Sequence, residues 1–150
     1  MIKVLMICHG NICRSPMAEF LLKDMVNKKG IEDMFEIASA ATSREEIGNP
    51  VHPETRKILA RCNISCTHKR AVQMTYKDYE YYDYVIAMDK YNVRNIYSIT
   101  NGDPKHKIYR LLDFSNHPRD IADPWYTDNF ELTYDEITEG CKCFLDTILH

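Results

Sequence analysis

The stretch CHGNICRSP, Cys8 to Pro16, places a cysteine and an arginine at either end of a short polar loop, with five residues between them. A thiol is nucleophilic as the thiolate, and both a cation and the positive end of a helix favour that form. Arg14 offers a planar, permanently charged fork that can hold two oxygens of one anion, which a lysine cannot do in bidentate fashion. Backbone N–H groups where a helix begins lack intrahelical partners, so residues 9 to 14 (His9, Gly10, Asn11, Ile12, Cys13 and Arg14) can cradle a phosphate-sized anion. Gly10 permits the tight path. Neither GxxxxGK[ST] nor GxGxxG is present, so nucleotide-binding loops do not account for the segment. The chemistry open to these residues is attack by the Cys8 sulfur on a bound anion. Ser15 is placed to donate a hydrogen bond to that sulfur or to help it leave. A lone cysteine at a strand end would read as a small packed hydrophobe. C-x5-R-S between an apolar strand and a helix is far more specific.

Such a loop needs a strand to deliver the cysteine and a helix to supply the N-terminus. The run IKVLMI (Ile2 to Ile7) is too continuously apolar for a strand with one wet face, so it predicts the centre of a parallel sheet covered on both sides. Ser15 is a natural N-cap and Pro16 suits the first helical position; Ala18, Leu21, Leu22 and Met25 then form one apolar face, and Lys28, Lys29 and Gly30 mark the end. The alternation continues with a strand over Met34 to Ala40, a helix over His52 to Cys62, a strand over Tyr82 to Asp89 and a helix over 90–98. A strand near Lys107 to Leu112 and a helix over 129–148 complete it. This predicts an α/β fold: a four-stranded parallel sheet with right-handed crossovers and helices on both faces, a Rossmann-like three-layer plan. Segment 75–84, TYKDYEYYDY, carries five tyrosines and reads as a half-exposed turn leading into a strand.

Composition narrows the function classes. At 150 residues with 45 % hydrophobic content the chain suits one domain, 1–150. A net charge of -3 supplies no broad positive field, which argues against nucleic acid or anionic membrane as a partner. No apolar run approaches the roughly 20 residues of a membrane span, and the N-terminal run is too short for a signal peptide, so a cytoplasmic protein is expected. Six cysteines in a chain that can build its own core are expected as thiols. Cys62/Cys66 and Cys141/Cys143 lack the CxxC spacing of zinc knuckles, and Cys141 continues an apolar stripe with Ile137, Leu145 and Ile148, so core packing is the better reading. The sequon at Asn63 is expected to be inert in the cytoplasm.

CHGNICRSP resembles the phosphate-binding loop of the low-molecular-weight protein tyrosine phosphatases, and the likeness extends along nearly the whole chain. SAATS (Ser39 to Ser43), THKR (Thr67 to Arg70), YVIAMD (Tyr84 to Asp89) and DPWY (Asp123 to Tyr126) match family landmarks in order and spacing. The resemblance implies that Cys8 attacks phosphorus to form a phosphocysteine, that Arg14 binds the equatorial oxygens, and that Asn11 and Ser39 support the loop with His68 behind them. It also implies that Asp123 protonates the leaving oxygen and later, as a carboxylate, activates water. Pro124 holds Asp123 out of the helical region, and a neighbouring dianion and thiolate favour its protonated form. Neither step needs a metal or a cofactor. The implied substrate is a phosphotyrosine protein or peptide, the product inorganic phosphate, and the enzyme a monomer.

By the same resemblance Trp125 and Tyr126 form one aromatic wall of a deep slot. The opposite wall departs from the family, since Glu45 stands where many members carry an aromatic residue. Glu45 and Glu46 would repel acidic residues beside the phosphotyrosine while Arg44 would attract them, so the peptide context stays open. Three rivals follow: a protein-arginine phosphatase of the same fold, against which Ile12 argues because that relative carries threonine there; an arsenate reductase, whose resolving cysteines have no counterpart in residues 67–140; and a non-catalytic phosphoprotein-binding module. Cys13, on the same loop, is the expected redox partner of Cys8 through a reversible disulfide.

Overall fold

A computed structural model of the chain describes residues 1–149; residue 150, the last of the expected domain, lies outside the described residues. Its elements are β1 (Ile2–Cys8), α1 (Arg14–Lys28), β2 (Phe35–Ala41), α2 (Pro53–Arg61), α3 (Tyr76–Tyr81), β3 (Tyr84–Ala87), α4 (Lys90–Thr100), β4 (Ile108–Arg110), α5 (Pro124–Thr127) and α6 (Phe130–Ile148). The four strands form one all-parallel sheet in the order β2-β1-β3-β4.

Strand β1 is central, and its residues alternate between two cores as the pleat demands. Val4, Met6 and Cys8 pack in a cluster with residues of α1, α2 and α6, whereas Leu5 and Ile7 join Tyr79 of α3 and Ile96 of α4 on the other face. Both faces of β1 are therefore dry, which is why its sequence is apolar without a break. The chain leaves β1 to build β2 on one side and then returns to build β3 on the other. That reversal opens a crevice beyond the carboxyl ends of β1 and β3, the usual ligand position in open α/β sheets.

Three local expectations are corrected. Ser15 does not cap α1: the helix already starts at Arg14, the preceding Cys13 makes no side-chain cap, and Pro16 is the third helical residue. The Ser15 hydroxyl is engaged elsewhere, beside Cys8. Segment 75–84 contains the short helix α3, closed by a reciprocal capping box between Thr75 and Asp78, a pattern masked by its tyrosine content. Strand β4 is only three residues long, because Leu111–Phe114 turn into a 3-10 helix to bury Leu111 and Leu112.

Candidate active site

Cys8 ends β1 and is buried, with its sulfur 3.0 Å from Ser15 Oγ and 3.3 Å from the Asn11 backbone nitrogen, which donates to it. Asn11 takes a left-handed backbone, φ 59°, a conformation asparagine tolerates better than most side chains. Its amide side chain locks that turn: Oδ1 accepts from Val72 N–H at 3.1 Å, while Nδ2 donates to Ser15 Oγ at 2.8 Å and Ser39 Oγ at 2.9 Å. The carbonyls of Cys8, His9, Ile12 and Cys13 accept from the amides of Thr42, Ser43, His52 and Met17. With the carbonyls drawn outward, the amides of Gly10, Ile12, Cys13, Arg14 and Ser15 have no hydrogen-bond partner among the described residues. The loop is a ring of donors around the sulfur, suited to a tetrahedral oxyanion.

The polarity of this network is set from behind. Ser39 Oγ donates to Glu19 Oε1 at 2.6 Å, and a carboxylate can only accept, so the Ser39 proton is committed. Asn11 Nδ2 spends its two protons on Ser39 and Ser15. The Ser15 hydroxyl is then left to donate to the Cys8 sulfur, the direction that stabilises a thiolate. Glu19 is itself buried and lies 3.9 Å from the Lys69 ammonium, which donates to the Ser39 carbonyl at 2.8 Å. Burial lowers the Lys69 pKa, while Glu19 opposes that fall.

His68, expected behind Ser39 and Asn11, is exposed and does not join the network; Lys69 reaches Ser39 in its place. Residues 66–69 form a turn in which Lys69 N–H donates to the Cys66 carbonyl, and isolated bridges follow from Arg70 to Pro50 and from Gln73 to Ala41. His68 is exposed in that turn, while Lys69 leaves it half-buried and reaches the Ser39 carbonyl.

Arg14, 3 % exposed, is anchored at one nitrogen and reaches the cleft with the other: Nη1 donates to Asp89 Oδ2 at 2.8 Å and to the Ile121 carbonyl at 3.0 Å, and Nη2 to Asp123 Oδ2 at 3.3 Å. Burial works against its charge, but Cys8, Asp123 and Asp89 together raise its pKa above the ordinary value. Asp123 is extended, as the following proline requires, and caps α5 by accepting from Trp125 N–H at 3.0 Å. One carboxylate oxygen thus holds a helix and the other faces Arg14.

These groups line a cleft of about 870 Å³ together with His9, Gly10, Ile12, Cys13, Glu45, Glu46, Tyr91, Trp125 and Tyr126. Trp125 and Tyr126 are 81 % and 84 % exposed, so their rings are free to meet a ligand rather than pack on the protein. Glu45 stands opposite, 2.9 Å from His9 Nε2. Cys13 lies on the loop with its thiol pushed up to about 12 by burial and, less strongly, by Cys8 and Asp123. Cys141 is buried beneath the Ala18 carbonyl, the packing role its stripe predicted, and burial pushes its thiol to about 12 as well. Sequence reasoning missed Glu19, Lys69, Asp89 and Tyr91. Asp89 had one readable signal, the D-x-x-N capping box that opens α4.

The chain is similar to known proteins along nearly its whole length. The low molecular weight phosphotyrosine protein phosphatase family matches residues 3–150. The chain is 41 % identical over 150 residues to the low molecular weight protein-tyrosine-phosphatase YfkJ of Bacillus subtilis, covering 99 % of this chain and 96 % of that one. It is 38 % identical to the low molecular weight protein-tyrosine-phosphatase PtpA of Staphylococcus aureus, covering 99 % and 95 %. The crystal structure of YfkJ superposes with a TM-score of 0.95 over 99 % of this chain and 95 % of that one. A low molecular weight protein tyrosine phosphatase from Streptococcus pyogenes, 39 % identical, gives 0.89 over 100 % and 95 %.

Proposed function

We propose a residue-level mechanism from one premise: the chain belongs to the low molecular weight phosphotyrosine protein phosphatase family and is a protein-tyrosine-phosphatase. The observation that carries the assignment of roles is the Cys8 sulfur in a loop where the amides of Gly10, Ile12, Cys13, Arg14 and Ser15 have no hydrogen-bond partner among the described residues, with Arg14 in the same cleft.

The phosphoryl oxygens of phosphotyrosine occupy the donor ring and the free edge of Arg14. Cys8 sulfur attacks phosphorus as the bond to the phenolic oxygen breaks, and Asp123 gives that oxygen its proton. A phosphocysteine remains. Asp123, now a carboxylate, takes a proton from water as the water attacks phosphorus; inorganic phosphate leaves and the thiolate returns, received by the Ser15 hydroxyl and the Asn11 amide. Burial of Cys8 at the cleft floor supports a substrate whose phosphate stands off on a long, flat spacer, for which Trp125 and Tyr126 supply a facing wall. Matched phosphotyrosine, phosphoserine and phosphoarginine peptides, assayed without added metal, test the reading. Phosphotyrosine is expected to be turned over selectively; phosphoarginine turned over ahead of it would transfer the chain to the arginine reading despite Ile12.

Cys13 we assign as the redox partner. Peroxide converts the Cys8 thiolate to a sulfenic acid and hydroxide; the Cys13 thiolate then attacks that sulfur, displacing hydroxide and leaving a disulfide. Because the Cys13 thiol ionises near 12, its thiolate fraction rises about tenfold per pH unit below that value. Disulfide formation is therefore expected to be much faster at alkaline than at neutral pH, as read by non-reducing peptide mapping after peroxide. Irreversible sulfonic acid on Cys8 at every pH would remove Cys13 from this role.

We further infer a cytoplasmic monomer acting as one domain over 1–150. Six free cysteines support a reducing compartment, and no described helix is long and apolar enough to cross a membrane.

A further inference from the structure

The mouth of the cleft carries opposite charge on opposite sides of Cys8. Strand β1 lies between β2 and β3, so the loop after β2 and the start of α4 after β3 rise on different sides of the nucleophile. On the β2 side Glu45 and Glu46 line the cleft; Glu45 is held by His9, and Glu46 bonds the Asn49 amide rather than a cation. Arg44, which left the peptide context open in the sequence, is turned away: its Nε donates to Gln73 Oε1 at 3.2 Å and it does not line the cleft. On the β3 side Tyr91 lines the cleft, and the Lys90 and Arg94 cations sit 5.4 and 5.6 Å from its ring centroid.

The carboxylates that line the rest of the cleft each already have a cation, shared two to one: Arg14 holds Asp89 and Asp123, and Arg110 holds Asp120 at 3.0 Å together with Asp113. Glu45 and Glu46 line one side of the mouth, and on the other the exposed cations of Lys90 and Arg94 stand just outside the lining, beside the Tyr91 ring. An extended peptide places a residue two positions from the phosphotyrosine about 7 Å along the chain, which is within reach of such a rim.

We propose that this rim selects the charge order of the substrate: a basic residue on the flank facing Glu45 and Glu46, and an acidic residue on the flank facing Lys90 and Arg94. This rests on the phosphotyrosine reading above and adds the sequence class of the target. The test uses two phosphotyrosine peptides of identical composition and opposite order, lysines before and glutamates after the phosphotyrosine, and the reverse. Each kcat/KM is normalised to the same protein's turnover of a small aryl phosphate. One order is expected to exceed the other by about tenfold at low salt, each exposed pair adding a few-fold, with the contrast shrinking as salt is raised. Glu45→Gln with Glu46→Gln, and separately Lys90→Gln with Arg94→Gln, should each reduce the contrast. Equal rates for the two orders, or a contrast that neither pair of substitutions moves, overturns the proposal while aryl phosphate turnover keeps the phosphatase reading intact. Absence of turnover on every phosphotyrosine compound would overturn both together.

Discussion

Cys8→Ser is expected to lower kcat on a phosphotyrosine peptide by on the order of 10⁵-fold, while leaving the peptide bound nearly as tightly as before. The reason lies in what surrounds the sulfur. Its neighbours are the Ser15 hydroxyl, the Asn11 amide and, at the same cleft, the Arg14 guanidinium. All three are donors or cations, which suits an anion. None is a base that could remove the proton from a serine hydroxyl, and Asp123, the base of the second step, is needed protonated in the first, so an alcohol at this position stays protonated and unreactive. The phosphate contacts, by contrast, come from the loop amides and Arg14, and the serine oxygen can still engage Ser15 and Asn11. Calorimetric titration with an intact phosphotyrosine peptide should give a dissociation constant near the wild-type KM. Turnover above a few per cent of wild type would show that Cys8 is not the nucleophile; loss of binding together with turnover would show that the substitution had collapsed the loop.

Much of this site is legible in the sequence alone, because its chemistry is local. The apolar run into Cys8, the spacing to Arg14 and the D-P step at Asp123 are each readable within a few residues. What was not legible depends on distant segments meeting. Arg14 contacts Asp89 and Asp123, 75 and 109 positions away, and no periodicity links them. Ser15 carries the signature of a cap, yet its hydroxyl serves the sulfur instead, so local propensity yields to the site. His68 and Lys69 are adjacent, and only the course of the turn from Cys66 to Lys69 decides which one reaches Ser39. The direction of Arg44 is of the same kind, set by Gln73 across the loop.

Asp123→Asn should separate two steps that share one residue. Asparagine is as good an N-cap as aspartate, so its one side-chain oxygen can keep the bond from Trp125 N–H and α5 keeps its start, while the amide nitrogen that replaces the other oxygen gives up the contact with Arg14. That contact is lost for every substrate alike; what separates substrates is the lost proton. Phosphotyrosine peptides, whose leaving phenol is weakly acidic, are expected to fall by about 10²- to 10⁴-fold in kcat/KM. A nitrophenyl phosphate, whose leaving group departs without protonation, should lose far less in that first step. Its second step still needs a base for the attacking water, and asparagine provides none. The phosphocysteine on Cys8 should therefore accumulate, seen as a burst of one nitrophenolate per protein followed by slow steady turnover, and recoverable as phosphate bound to protein after rapid acid quench. Equal losses on both substrates, with no burst and no trapped phosphate, would reduce Asp123 to a structural partner of Arg14. A burst confined to the variant would show that the carboxylate which lets the phenol go is also the one that later admits water.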